Sequence, residues 1–165
     1  MAHDKRSCSR RPEPTDTALE DLSLDAADRA VLFAARVVFV QFTEPAQQAW
    51  MSLTLSANTL FRGPQPAETL RRVCAVVHEM MISRRSDFRF SNPKCDDCSR
   101  WVTVHERHLV QMIQAGRQNE RSRAEISAML LCEGHATDRV LAAVWHLADC
   151  LPEVEHRSVT PSLQE

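Results

Sequence analysis

The sequence predicts an all-α fold, a single-domain bundle of about six helices with a Cys-x-x-Cys loop between the third and the fourth. Three observations predict it. The 165 residues include only 3 Gly and no Tyr, and few windows are rich in the β-branched residues that strands favour. Apolar residues recur at helical spacing over most of the chain. The breaks between those segments are short, which favours antiparallel neighbours. A chain of this length fits one domain with a real core. Residues 1–16 and 153–165 are polar and read as disordered tails, leaving 17–152 as the helical domain.

The first helix is expected from about Asp25 to Phe42, with Ser23 or Asp25 as its cap. Apolar residues surround most of its circumference, interrupted by Arg36, which places it in the middle of the bundle or at an interface. Thr43-Glu44-Pro45 stops one helix and starts the next, which runs to about Leu60 with Trp50, Leu53 and Leu60 as anchors. After the breaker Arg62-Gly63-Pro64-Gln65-Pro66, a third helix reaches Ser83, with Leu70, Val73, Val77, Met80 and Met81 on one stripe. Arg84 to Lys94 reads as a polar linker.

The fourth helix opens at Thr103-Val-His-Glu106, a capping box, buries Leu109, Met112 and Ile113, and is expected to stop at Gly116. The fifth runs from about Asn119 to Cys132 with Ile126, Met129 and Leu130 inward and Gly134 as its stop. The sixth, capped by Thr137, carries Val140, Leu141, Val144, Leu147 and Leu151 up to Pro152. No strand is expected.

Charge and composition exclude several function classes. A net charge of −2 provides no strong field for nucleic acid or an anionic membrane. The sixth helix has Arg139 as its one strong base donor and reads as a core helix, against a helix-turn-helix. Arg117, Arg121 and Arg123, offset by Glu120 and Glu125, read as a solvated face. No apolar run is long enough to span a bilayer. There is no Gly-x-Ser-x-Gly and no Gly-rich phosphate loop. The partner expected is another protein, or a second copy, through an apolar helix surface.

The chemistry concentrates between Ser91 and His108. Cys95 and Cys98 sit in a loop opened by Asn92-Pro93, and His105 and His108 follow on the first turns of the fourth helix. The first residues of the chain show no apolar signal-peptide core, so a reduced, cytoplasmic setting is expected, where paired thiols more often serve metal or redox chemistry. Thiolates and imidazoles together suit zinc, here in a structural role. Cys95 and Cys98 supply half of a tetrahedral set. His105 and His108 are the first candidates for the other half, and Cys74 with His78, one turn apart on the third helix, are the second.

Cys132 with His135 and His146 with Cys150 form further local pairs, although Cys74 and Cys132 also suit plain core positions. An iron–sulfur cluster on Cys74, Cys95, Cys98 and Cys132, or haem on His78, His105 or His146, is compatible with the residue types but matches no known spacing. Glu106 is assigned to its cap and not to catalysis. The resulting expectation is a small binding or regulatory protein with a Cys/His zinc site. A thiol-based redox sensor or oxidoreductase using Cys95 and Cys98 is second, and a metal-free helical interaction module third.

Overall fold

The computed structural model describes residues 12–44 and 49–152, with backbone alone at 49 and 50. It is mostly helical: α1 (Ala26–Thr43), α2 (Ala49–Leu60), α3 (Pro66–Ser83), the single turn α4 (Asp96–Ser99), α5 (Val104–Arg117), α6 (Arg121–Leu131) and α7 (Asp138–Ala148). A two-stranded antiparallel ladder joins β1 (Thr17–Ala18) to β2 (Trp101–Val102), with Thr17 opposite Val102 and Ala18 opposite Trp101. The sequence reading missed this ladder and α4, because elements of two and four residues carry no periodicity to read. Pro45 lies outside the described residues, as does the side chain of Trp50.

The central position expected for α1 is observed. From Ala30 to Val40 every residue except Phe33 is buried, and the helix packs against α2, α3 and α5. Burying each large apolar side chain there is worth about 1.5–3 kcal/mol. Asp25 caps the helix by accepting the Asp28 N–H at 2.8 Å, and Asp28 returns the bond to the Asp25 N–H at 3.2 Å. This acidic pair lies at the positive end of the helix dipole.

Arg117, at the far end of α5, completes the junction. Its guanidinium donates to Asp28 Oδ1 at 2.6 Å, to Asp25 Oδ2 at 2.7 Å and to the Pro152 carbonyl at 2.7 Å. Burial pulls Arg117 down, but the two aspartates outweigh it and hold the group above its ordinary value. Arg117 is therefore a buried clasp rather than part of a solvated basic face. Arg121 with Glu125 and Arg123 with Glu120 do form exposed helix pairs.

Four further expectations are corrected. Gly116 lies inside α5, where a Cβ would fall 2.7 Å from Val144 Cγ1; it lets α5 and α7 approach closely. The helix ends instead in a Schellman turn, with Asn119 at φ 56° and the Glu120 N–H returning to the Ala115 carbonyl at 2.8 Å. α6 turns Ala124, Ser127, Ala128 and Leu131 inward and leaves Ile126, Met129 and Leu130 56–61% exposed. Small residues bring α6 close to α5, so size chose the face and hydrophobicity misread it. Thr137 occupies the first position before α7 but its side chain makes no capping bond.

The fourth correction is the segment after α3, which is not a polar linker. Phe88 and Phe90 stack on Phe39 of α1 with centroids at 4.2 and 5.3 Å. Glu133, in the left-handed region at φ 57°, accepts from the Arg85 and Ser86 N–H groups at 3.0 and 3.2 Å. Hydrogen bonds from the Ser86 hydroxyl and these amides hold its carboxyl at about 2.

Candidate functional site, a dithiol loop over a buried ion pair

The loop that carries the two thiols is shaped by local bonds. Asn92 makes an Asx turn, its Oδ1 accepting from the Lys94 N–H at 2.9 Å. Cys95 then stands at the N-cap of α4, and its Sγ accepts from the Cys98 N–H at 3.4 Å. A two-residue spacer permits this bond, and a backbone donor aimed at sulfur favours the thiolate. Cys95 is half-buried, whereas Cys98 is 6% exposed. A very small cavity reaches Cys98 and is lined by Pro12, Asp16, Ser91 and Trp101.

What holds the loop is a group that the sequence registered only as an interruption. Arg36, on the buried face of α1, donates to the Ser99 carbonyl at 2.9 Å and the Trp101 carbonyl at 2.7 Å. The same guanidinium forks onto Glu106, Nε to Oε1 at 2.7 Å and Nη2 to Oε2 at 3.1 Å. Glu106 also accepts from the Thr103 N–H at 2.8 Å, which closes the expected capping box, and from the Ser91 N–H at 3.0 Å. Both charges are buried and their hydrogen-bonding groups are engaged, which is the condition under which a buried ion pair is tolerated. Arg36 thus fixes the chain after Cys98, and Glu106 fixes the chain before Cys95.

His105 is held in the same arrangement. Its Nδ1 accepts from the Arg89 N–H at 2.9 Å, and its Nε2 lies 3.1 Å from Arg84 Nη2. The Thr103 hydroxyl donates to the Arg89 carbonyl at 2.7 Å. Since Nδ1 accepts, the proton of the neutral ring sits on Nε2, facing a guanidinium that can only donate. A second proton would break the Arg89 bond and place a cation beside Arg84. Burial, followed by the charges of Arg84 and Arg89, lowers His105 below its ordinary value.

His108 is one turn further along α5. Its Nδ1 is buried without a hydrogen-bond partner among the described residues, and burial lowers it as well. Both rings resist protonation in the fold, whereas the unfolded chain takes up protons near pH 6.5. Stability is therefore expected to fall as pH drops through that range, because the unfolded state then binds more protons. Urea midpoints measured from pH 7.5 to 5 check this: His105→Gln should flatten the slope, and His105→Gln with His108→Gln should flatten it further.

The remaining candidates lie elsewhere. Cys74, on α3, packs against the main core, and burial pushes its thiol up to about 11. His78 is exposed, 3.8 Å from Glu79. Cys132 is a fully buried core residue and burial raises it. His146 is exposed, and the Cys150 thiol lies 3.5 Å from the His146 carbonyl. Among the described residues no group of three or more His, Cys, Asp or Glu side chains is placed to hold a metal ion. Among them, too, no helix is long and apolar enough to cross a membrane.

Fold and site together define a mostly helical protein that presents a Cys-x-x-Cys turn on a buried Arg–Glu pair. No protein family, curated protein or solved structure matches this chain.

Proposed function

We propose that this chain is a helical binding or regulatory protein whose Cys95–Cys98 turn holds zinc. The observation that carries the reading is the bond from the Cys98 N–H to Cys95 Sγ, which cradles a thiolate at the spacing that lets two sulfurs face one ion. The fit to zinc is one of donor type: two thiols with two residues between them in the sequence, on a loop fixed from below by Arg36. Cys95 and Cys98 would supply two ligands. His105 would join them by giving up its bond to the Arg89 N–H, and His108 is the next imidazole along α5. The ion would tie the loop to the start of α5 and add its binding energy to folding.

Elemental analysis of protein purified without chelator tests this. One zinc per chain is expected, lost when Cys95 and Cys98 are both replaced by Ser and retained when Cys74 and His78 are replaced by Ala. A second reading is favoured by one asymmetry: Cys95 is half-buried and Cys98 is buried, an arrangement in which an accessible thiolate attacks and a sheltered one resolves. Metal-free protein that forms a reversible Cys95–Cys98 disulfide would replace the zinc reading with a redox one.

A further inference from the structure

A cleft of about 580 Å³ opens beside the dithiol loop, between β1, the 3-10 turn Leu19–Asp21, the first turns of α1 and the α4–β2 segment. Its size falls within the range of about 300–1,000 Å³ typical of small-molecule sites. The walls are fixed to one another. Ala18 pairs with Trp101 in the ladder, the Leu19 N–H donates to the Arg100 carbonyl at 2.7 Å, and Arg36 holds the Trp101 carbonyl from beneath. The cleft is therefore preformed.

Its lining divides into two kinds of surface. Leu19 and Trp101 provide apolar area, and four charged side chains surround it: Arg29 and Arg100, Glu20 and Asp97. Several packed arginines elsewhere are paired, Arg36 with Glu106, Arg84 with Glu133, Arg89 with Asp16 and Arg117 with Asp28. The four charged side chains of the cleft are all exposed. Among the described residues Glu20, Asp97 and Arg100 form no salt bridge, and Arg29 donates only to the Leu24 carbonyl, at 3.3 Å. Two cations and two anions thus line one space without neutralising each other in contact. A ligand with a single charge gains from one pair and is repelled by the other, whereas a ligand with both charges gains from both. Trp101 supplies a flat face for an apolar or aromatic group between them.

We propose that this cleft binds a zwitterionic small molecule of amino-acid type, its carboxylate toward Arg29 and Arg100, its ammonium toward Glu20 and Asp97, and its side group on Trp101. Asp97 lies between the two cysteines, so the ligand would sit against the dithiol loop. The site does not depend on whether that loop holds metal.

Titration of the full chain with L-phenylalanine and L-leucine tests it, by calorimetry and by the Trp101 indole NMR signal, assigned with Trp101→Phe. Saturable binding that shifts this signal is expected. N-acetyl-phenylalanine, which lacks the ammonium, and phenylalaninamide, which lacks the carboxylate, should each bind at least about tenfold more weakly. Arg100→Gln should weaken phenylalanine but not the cation phenylalaninamide, and Asp97→Asn should weaken phenylalanine but not the anion N-acetyl-phenylalanine. Both side chains are exposed, and circular dichroism of the variants checks their folding. Absence of a saturable shift at millimolar amino acid, or equal binding of the capped compounds, would overturn the proposal.

Discussion

Glu106→Ala is expected to cost about 3–5 kcal/mol of folding stability, the range for removing one partner of a buried ion pair. The substitution strands more than Arg36. The Ser91 and Thr103 N–H groups lose their acceptor as well, and each buried unpaired donor adds about 1–3 kcal/mol before relaxation. Glu106→Gln should be nearly as damaging, because its amide turns two donors toward a site already filled with donors. Arg36→Met leaves a buried carboxylate with two backbone bonds. Glu106→Ala, Arg36→Met and their double should show strong non-additivity in a urea double-mutant cycle. Losses below about 1 kcal/mol in every variant, the level of a surface pair, would show that the network contributes little.

Arg117→Ala is expected to have a comparable effect, about 3–5 kcal/mol, by leaving Asp28 buried and unpaired in the first turn of α1. Gln114 Nε2 still donates to Asp28 at 2.7 Å, so some of the loss is cushioned. Arg117→Lys keeps the charge but not the fork and should recover only part of it. The pH dependence gives an independent check. Burial raises Asp25, but the Arg117 hydrogen bond and charge, with bonds from the Asp28 and Ala27 N–H groups, outweigh it and hold the carboxyl below 3.8. A carboxyl lowered in the fold stabilises above its unfolded value, and that contribution is lost as pH falls through its folded value. The difference between wild type and Arg117→Ala in urea midpoint should therefore be full at pH 7 and shrink below about pH 4.

Local signals in the sequence were legible where the physics is local. The Thr103–Glu106 box, the loop opened by Asn92-Pro93 and the burial of α1 all follow from residues a few positions apart. Assigning Glu106 to its cap was correct as far as it went. Its partner Arg36 lies 70 residues away, and no spacing rule joins a charge in an apolar run to a cap glutamate on another helix. The exposed stripe of α6 was misread for a related reason. Ile126, Met129 and Leu130 have the spacing of a core face, but the small residues Ala124 and Ala128 decide which side can approach α5. Phe88 and Phe90 were hidden among polar neighbours in a segment without period, so their stack on Phe39 appears only in three dimensions. At the dithiol loop the cysteines and the turn were visible. The setting of His105 was not, since the bond to its Nδ1 comes from Arg89 and the charge beside its Nε2 from Arg84.

The clasp at Arg117 also has a mechanical meaning. One nitrogen, Nη2, bonds both the carboxylate of Asp25 and the carbonyl of Pro152, so the start of the first helix and the chain just after α7 meet at a single side chain. A tensile load applied between those two points passes through these hydrogen bonds before it reaches the apolar core. The helical body resists being peeled open from that side by an ionic latch, and the force needed should fall as acid neutralises the aspartate.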